Sequence, residues 1–246
     1  MKKQSMITLS LLASFLIGHP CLADVSAPAQ ELQNLVQAFR SDPIWSNNIR
    51  TGAAIASFRR DYTQKALAIA TANPESEVAQ NALIWGLAIA PNDFDGTDAL
   101  KVLEKDYLKS EKLASLCWSL NTAPHTAGKE QLLTRLMNES PHESVRAQAM
   151  YSLALSKMGS DRELSAKLFT QVKEKYAAVQ TAQPANNLRF RPFPLGEGAD
   201  KKLFELQHLS VGAQAQPTVG VDADGKPMKL EDYKGKIVML EFFGDW

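Results

Sequence analysis

The sequence predicts a mainly α fold, a helical-repeat or bundle domain, followed by an incomplete α/β domain. Three observations carry that class. From about residue 28 to residue 180, apolar residues recur at three- and four-residue spacing between capping signals. The periodicity stops at 181–202, where proline and glycine accumulate. Beyond 203, short strand-like runs flank turn dipeptides. The 246 residues are 45% apolar and 22% charged, enough for one large domain or two small ones. Lys+Arg and Asp+Glu both number 27, so no global field recruits nucleic acid or an anionic membrane.

The chain opens on Met1-Lys2-Lys3, an apolar run at 6–18, and Cys21-Leu22-Ala23. A charged start, a short apolar run and small residues before a cut describe a secretory signal peptide, expected at 1–23 with cleavage after Ala23. The run is too short for a permanent bilayer anchor, and no second segment approaches spanning length. Cys21 could suggest lipid attachment, but His19-Pro20 fit such a box poorly. The expectation is an exported, periplasmic or extracellular protein that starts at Asp24.

The helical domain is expected at 24–180. Leu32, Leu35, Val36 and Phe39 make one apolar stripe, and Ile55, Phe58, Tyr62, Ala66 and Ile69 make a second. Asn73-Pro74 reads as an N-cap with proline at the first helical position, opening a helix through Val78, Ala82, Trp85 and Ile89 that Pro91 ends. Cys117 falls in the apolar helical stretch 113–120. It reads as a small buried hydrophobe rather than a reactive thiol, because no cationic group lies near it in sequence. Ser140-Pro-His-Glu143 reads as a capping box, and Gly159-Ser160-Asp-Arg-Glu163 as a glycine stop followed by another. Residues 74–83 align with 141–150, and Lys105-Asp106-Tyr107 with Glu174-Lys175-Tyr176. Two stacked helix pairs in a tetratricopeptide-like array would give this repeat, and so would an irregular bundle with coincidental matches.

A linker is expected at 181–202, marked by Pro184, Asn186-Asn187, Pro192, Pro194, Gly196 and Gly198. Its Arg189-Phe-Arg191-Pro-Phe193 could suggest an RNA contact, but a segment strapped onto its neighbour suits a chain with no other basic cluster. A short helix at 201–208 should come next. Val219-Gly-Val221 and Pro227-Met-Lys-Leu230 flank Asp224-Gly225, a turn between two strands. Lys234-Gly235-Lys236 is a second turn, and 237–243 a buried strand with one charge inside it, Glu241.

The landmarks Asp222-x-Asp224-Gly225-Lys226, Leu230-x-Asp232-Tyr233-x-Gly235-Lys236 and Phe243-Gly-Asp-Trp246 stand at the spacing of one known pattern. The segment 203–246 resembles the N-terminal part of a thioredoxin-like redox domain of the AhpC/TSA, TlpA-like group, just before its Cys-x-x-C pair. Gln214-Ala-Gln216-Pro217 departs from the group's usual Ala-Pro, and the peroxiredoxin Pro-x-x-x-Thr-x-x-Cys loop has no counterpart. The resemblance implies a thiol–disulfide oxidoreductase acting on protein disulfides or thiols, with no cofactor and no metal. It implies that Glu241 is the candidate proton acceptor behind the reactive sulfur, its carboxyl raised by burial, and that Trp246 flanks that sulfur. The redox pair itself is absent, and the 246 residues alone are expected to be inactive. A nonsense lesion, a fragment, a designed end, or a UGA codon meant for selenocysteine would each put a stop there.

His125, His142 and His208 lack ligand spacing and read as surface or capping residues. An alternative function needs no redox chemistry. The chain would then be a periplasmic helical-repeat module that binds a protein partner and carries a vestigial redox-domain tail.

Overall fold

The computed structural model describes residues 26–45, 51–122, 127–185, 189–209, 211–214 and 216–241. The expected signal peptide, His125, Asn186-Asn187 and Trp246 lie outside them. Nine α-helices are formed among the described residues: α1 Ala27–Ser41, α2 Gly52–Ala72, α3 Glu77–Ile89, α4 Thr97–Asp106, α5 Leu113–Ser119, α6 Lys129–Glu139, α7 Glu143–Lys157, α8 Arg162–Tyr176 and α9 Leu195–His208. Two strands are formed among the same residues, β1 Val219–Val221 and β2 Pro227–Lys229. None of these helices is long and apolar enough to cross a membrane.

The helices stack in two rows. α1, α3, α5, α7 and α9 touch in succession, while α2 packs on α1 and α3, α6 on α7, and α8 on α7 and α9. Helices α3 and α7 bury the most residues, being covered by neighbours in both rows, and α3 is apolar on nearly every side. One core runs through the stack, with Leu103, Leu113, Leu116, Leu136, Val145, Phe169 and Leu195 fully buried.

A repeat becomes legible once the rows are drawn. Leu83-Ile84-Trp85-Gly86-Leu87 in α3, Leu116-Cys117-Trp118-Ser119-Leu120 at α5 and Ala149-Met150-Tyr151-Ser152-Leu153 in α7 succeed each other at an interval of 33 residues. That step is close to the about 34 residues of tetratricopeptide arrays. Two such steps span one residue less than the offset that joins 74–83 to 141–150, and α3 and α7 stand two places apart in one row. The aromatic of each unit meets another ring in turn: Phe39 on Trp85 (5.5 Å between centroids), Trp118 on Tyr151 (6.2 Å), and Tyr151 on Phe169 (5.4 Å).

Several caps fall a few residues from where the sequence suggests. The N-cap of α3 is Ser76, whose Oγ accepts from the Ala79 N–H at 3.0 Å; Asn73 instead closes α2, its Nδ2 donating to the Ile69 carbonyl. Glu75, at φ +57, turns the chain between them. At α8 the capping oxygen belongs to Asp161, not Ser160 (Leu164 N–H, 3.0 Å). Ser140 closes α6 and accepts from the His142 N–H just before α7, so the expected box there does not form.

The largest change concerns 181–202. The chain leaves α8, makes a loop, and returns: Thr181 N–H donates to the Phe193 carbonyl (2.9 Å) and Leu195 N–H to the Val179 carbonyl (2.8 Å). This strap lies on α5 and α7. Phe190 and Phe193 sit 5.2 and 6.1 Å from Trp118, and Gln148 of α7 donates to the Gln180 carbonyl at 3.2 Å. Helix α9 then starts at Leu195, earlier than expected, and packs on α8. Gly196 and Gly198, which read as linker glycines, are points of close approach. A Cβ on Gly196 would meet the Ala177 Cα at 2.9 Å, and one on Gly198 the Tyr151 hydroxyl at 2.7 Å. The strap and α9 therefore belong to the helical array.

Candidate functional site

Two regions bear on function: the segment that carries the redox resemblance, and an open groove on the row of odd-numbered helices.

In the first, β1 and β2 form an antiparallel hairpin with Val219 opposite Lys229 and Val221 opposite Pro227. Asp222 builds the turn, its Oδ1 accepting from the N–H groups of Asp224 (2.9 Å) and Lys226 (2.8 Å), while Gly225 supplies φ +77. A 3-10 turn at Leu230–Tyr233 comes next, started by Asp232 Oδ2 accepting from the Lys229 N–H (3.1 Å). Gly235, at φ +86, makes the second turn, closed by Lys236 N–H to the Tyr233 carbonyl (3.0 Å). Both turns stand where the sequence puts them.

The strand expected at 237–243 does not form over its described part. Residues 237–241 have no regular structure, and Ile237 and Met239 are 104% and 89% exposed. A strand is held by hydrogen bonds to a neighbour, and no described strand lies beside this one. Glu241 is accordingly exposed rather than buried. Trp246, the other residue the resemblance singles out, lies outside the described residues, and among the described residues Glu241 stands alone.

Cys117 is 0% exposed, in the middle of the core, and burial pushes its thiol up to about 12. At neutral pH it is a protonated, inaccessible thiol, which fits the packing role read from the sequence. The histidines make local bonds. His142 Nε2 lies 3.0 Å from the Lys109 carbonyl, and His208 packs at a tilt against Phe204 with its Nδ1 3.0 Å from Gln216 Nε2. Among the described residues no group of His, Cys, Asp and Glu is arranged to hold a metal ion.

The second region is a groove of about 670 Å³ between α1, α3, α5 and the start of the strap. Its floor is apolar: Leu32, Val36, Ile84, Trp85 and Ala114, with Ala182 and Ala185 of the strap along one edge. Its rim carries Gln33, Gln37, Asn81, Ser115 and Gln183, with the charged Arg40, Glu111 and Lys112. Lys112 Nζ reaches Glu77 (2.5 Å) and the Asn81 side-chain oxygen (3.0 Å), and its ammonium holds Glu77 below the usual carboxylate range. The groove offers no nucleophile beside a base. It offers an apolar trough edged by amides, each able to donate and to accept a hydrogen bond, which suits the binding of a ligand. These residues form no sequence motif. The nearest signal is the 33-residue step, which places Trp85 on α3 in register with Trp118 and Tyr151 under the strap. Compared with protein-family models, curated proteins and solved structures, the chain has no match.

Proposed function

We propose that this chain belongs to an exported thiol–disulfide oxidoreductase of the thioredoxin-like, AhpC/TSA-related kind, whose helical array precedes the redox domain. The observation that supports the reading is the path of 219–236. A tight hairpin turn at Asp224-Gly225, a 3-10 turn ending at Tyr233 and a left-handed Gly235 come in the order of the landmarks that carry the resemblance.

On this reading the redox pair lies beyond Trp246. The first thiolate attacks a sulfur of the substrate disulfide, forms a mixed disulfide and releases one substrate thiolate. The second cysteine then attacks the mixed disulfide and frees the other. Two electrons pass from the enzyme dithiol to the substrate, and the enzyme is left as a disulfide. Glu241 takes the proton from the second thiol once a neighbouring strand covers the 237–241 segment. The 246 residues alone hold only Cys21 and Cys117, which are not a redox pair.

The reading frame beyond codon 246 tests this. The expected result is an in-frame cysteine or selenocysteine codon next, a cysteine codon three positions later, and strand-rich sequence after it. A frame that closes at once with further stops, with no such pair in any frame, defeats the oxidoreductase reading. Export has its own check: amino-terminal sequencing of the chain secreted from a bacterial host should begin at Asp24.

The groove supports a second reading, a helical-repeat module that binds a protein partner. Residues 26–208, lacking the hairpin and the residues after it, should then retain that partner in a cross-linking experiment. Loss of all cross-links on removing the tail would count against it.

A further inference from the structure

The strap and the open groove occupy neighbouring stretches of one face, and repeat-related side chains line both. On α7, Gln148 is fully buried and spends its amide N–H on a main-chain carbonyl of the strap (Gln180, 3.2 Å). Where 74–83 is aligned with 141–150, the residue opposite Gln148 is Asn81, on the rim of the groove. The Asn81 oxygen is taken by Lys112 Nζ (3.0 Å), which leaves the nitrogen end of the amide as a donor for an incoming carbonyl. Over α5, Trp118 is covered by Phe190 and Phe193 from the strap; at the groove the strap contributes only Ala182, Gln183 and Ala185 to the lining, and there Val36 is half-buried while Ile84 is buried.

We propose that the groove between α1, α3 and α5 docks an extended, apolar peptide segment of a partner protein, laid along the strap. The strap shows on this same face what kind of segment it takes: an extended chain, gripped at a carbonyl by an amide and anchored by apolar side chains. The groove adjoins that interface, since Ala182 and Ala185 of the strap are part of its lining. Its apolar floor would take side chains from one side of the peptide, and the rim amides would serve main-chain groups left unpaired between them. The inference names the partner class for the interaction reading and rests on that reading; it does not depend on the redox chemistry.

The test selects displayed random dodecapeptides on the full chain and titrates the synthetic winners by fluorescence anisotropy. Winners should converge on an apolar core motif and compete with one another. Ser115→Trp, which fills the groove, should weaken them at least tenfold, and Asn81→Ala should weaken them by a smaller factor. Helical circular dichroism checks that each variant folds, and Gln37→Trp, at an exposed rim position, replaces Ser115→Trp if that variant does not. Winners that bind the filled-groove variant as tightly as the parent overturn the proposal, as does failure to converge. A dimer of the chain that Ser115→Trp dissolves, or a small apolar molecule retained in native mass spectrometry and lost in that variant, assigns the groove to another occupant and also overturns it. If a protein partner cross-links only to the even-numbered helices, the interaction reading survives and this inference does not.

Discussion

The thiol of Cys117 keeps its proton in the folded chain at a pH where the unfolded chain would lose it. With the folded value at about 12 and an ordinary thiol near about 8.5, the folded state binds more protons across that interval. Its contribution to stability is therefore fully present below pH of about 8.5 and declines as pH rises toward about 12. Urea midpoints measured at rising pH should fall through this window, and the fall should be shallower in Cys117→Ala. Tyr151, also buried and pushed up to about 12, adds a decline that starts only above its usual value near 10. In the native state Cys117 should resist a thiol reagent that labels it fully in denaturant. A second residue-scale prediction concerns Arg59, which donates from Nε to the Ile89 carbonyl (2.5 Å) and from Nη2 to the Ala90 carbonyl (3.1 Å). It closes the end of α3 that Pro91 leaves without a helical continuation. Arg59→Met should cost about 1–3 kcal/mol in chemical denaturation, since two carbonyls lose their donors. Legibility at this scale was uneven for a physical reason. Cys117 lies within an apolar run, so its burial could be read directly. The caps at Ser76 and Asp161 lie among consecutive polar residues, several of which could accept the same N–H, and local sequence does not choose between Asn73 and Ser76.

Helix α9 and the strap show where element-scale reading stopped. Pro192, Pro194, Gly196 and Gly198 look like a linker because such residues break helices, yet here Pro194 precedes the first turn of α9 and the glycines let it approach Ala177 and Tyr151. The reason lies across the fold, in residues far away along the chain. Gly196→Ala should destabilise the array by about 1–3 kcal/mol, because its Cβ would press on the Ala177 backbone, which cannot swing aside as a side-chain tip could. A chain ending at residue 180 should melt at lower temperature and less sharply than one spanning 26–208, since it bares the surface that Leu195, Ala199, Phe190 and Phe193 cover. Equal melting curves would mean that the strap and α9 contribute nothing to the array. At the other end, the hairpin was legible because an Asp-Gly turn and its flanking residues are local. The strand at 237–243 was inferred from composition, and a strand depends on a partner that composition does not supply. Amide exchange should be fast at 237–241 and slow in α3 and α7.

For the molecule as a whole, the redox reading and the groove place different demands on the same chain. The helical array has a complete core of its own, whereas Ile237, Met239 and Leu240 present apolar side chains to water and need a covering sheet or helix before Glu241 can be buried. On the redox reading, activity should therefore need the remainder of the redox domain, while peptide binding should not. The 246-residue chain is expected to leave insulin disulfides intact, because Cys117 is buried, protonated and without a partner thiol among the described residues. Continuing the frame through the rest of the redox domain, with cysteine or selenocysteine in the first redox position, should confer insulin reduction at neutral pH. In that longer chain Glu241→Ala should slow turnover by roughly ten- to a hundredfold while leaving the thermal midpoint within a few degrees, since it removes a proton acceptor and not a packing contact. Glu241→Asp should recover part of the rate. Should the longer chain fold, carry both redox residues and exchange with no disulfide, the oxidoreductase assignment fails. The groove and its peptide would then remain to account for the helical array.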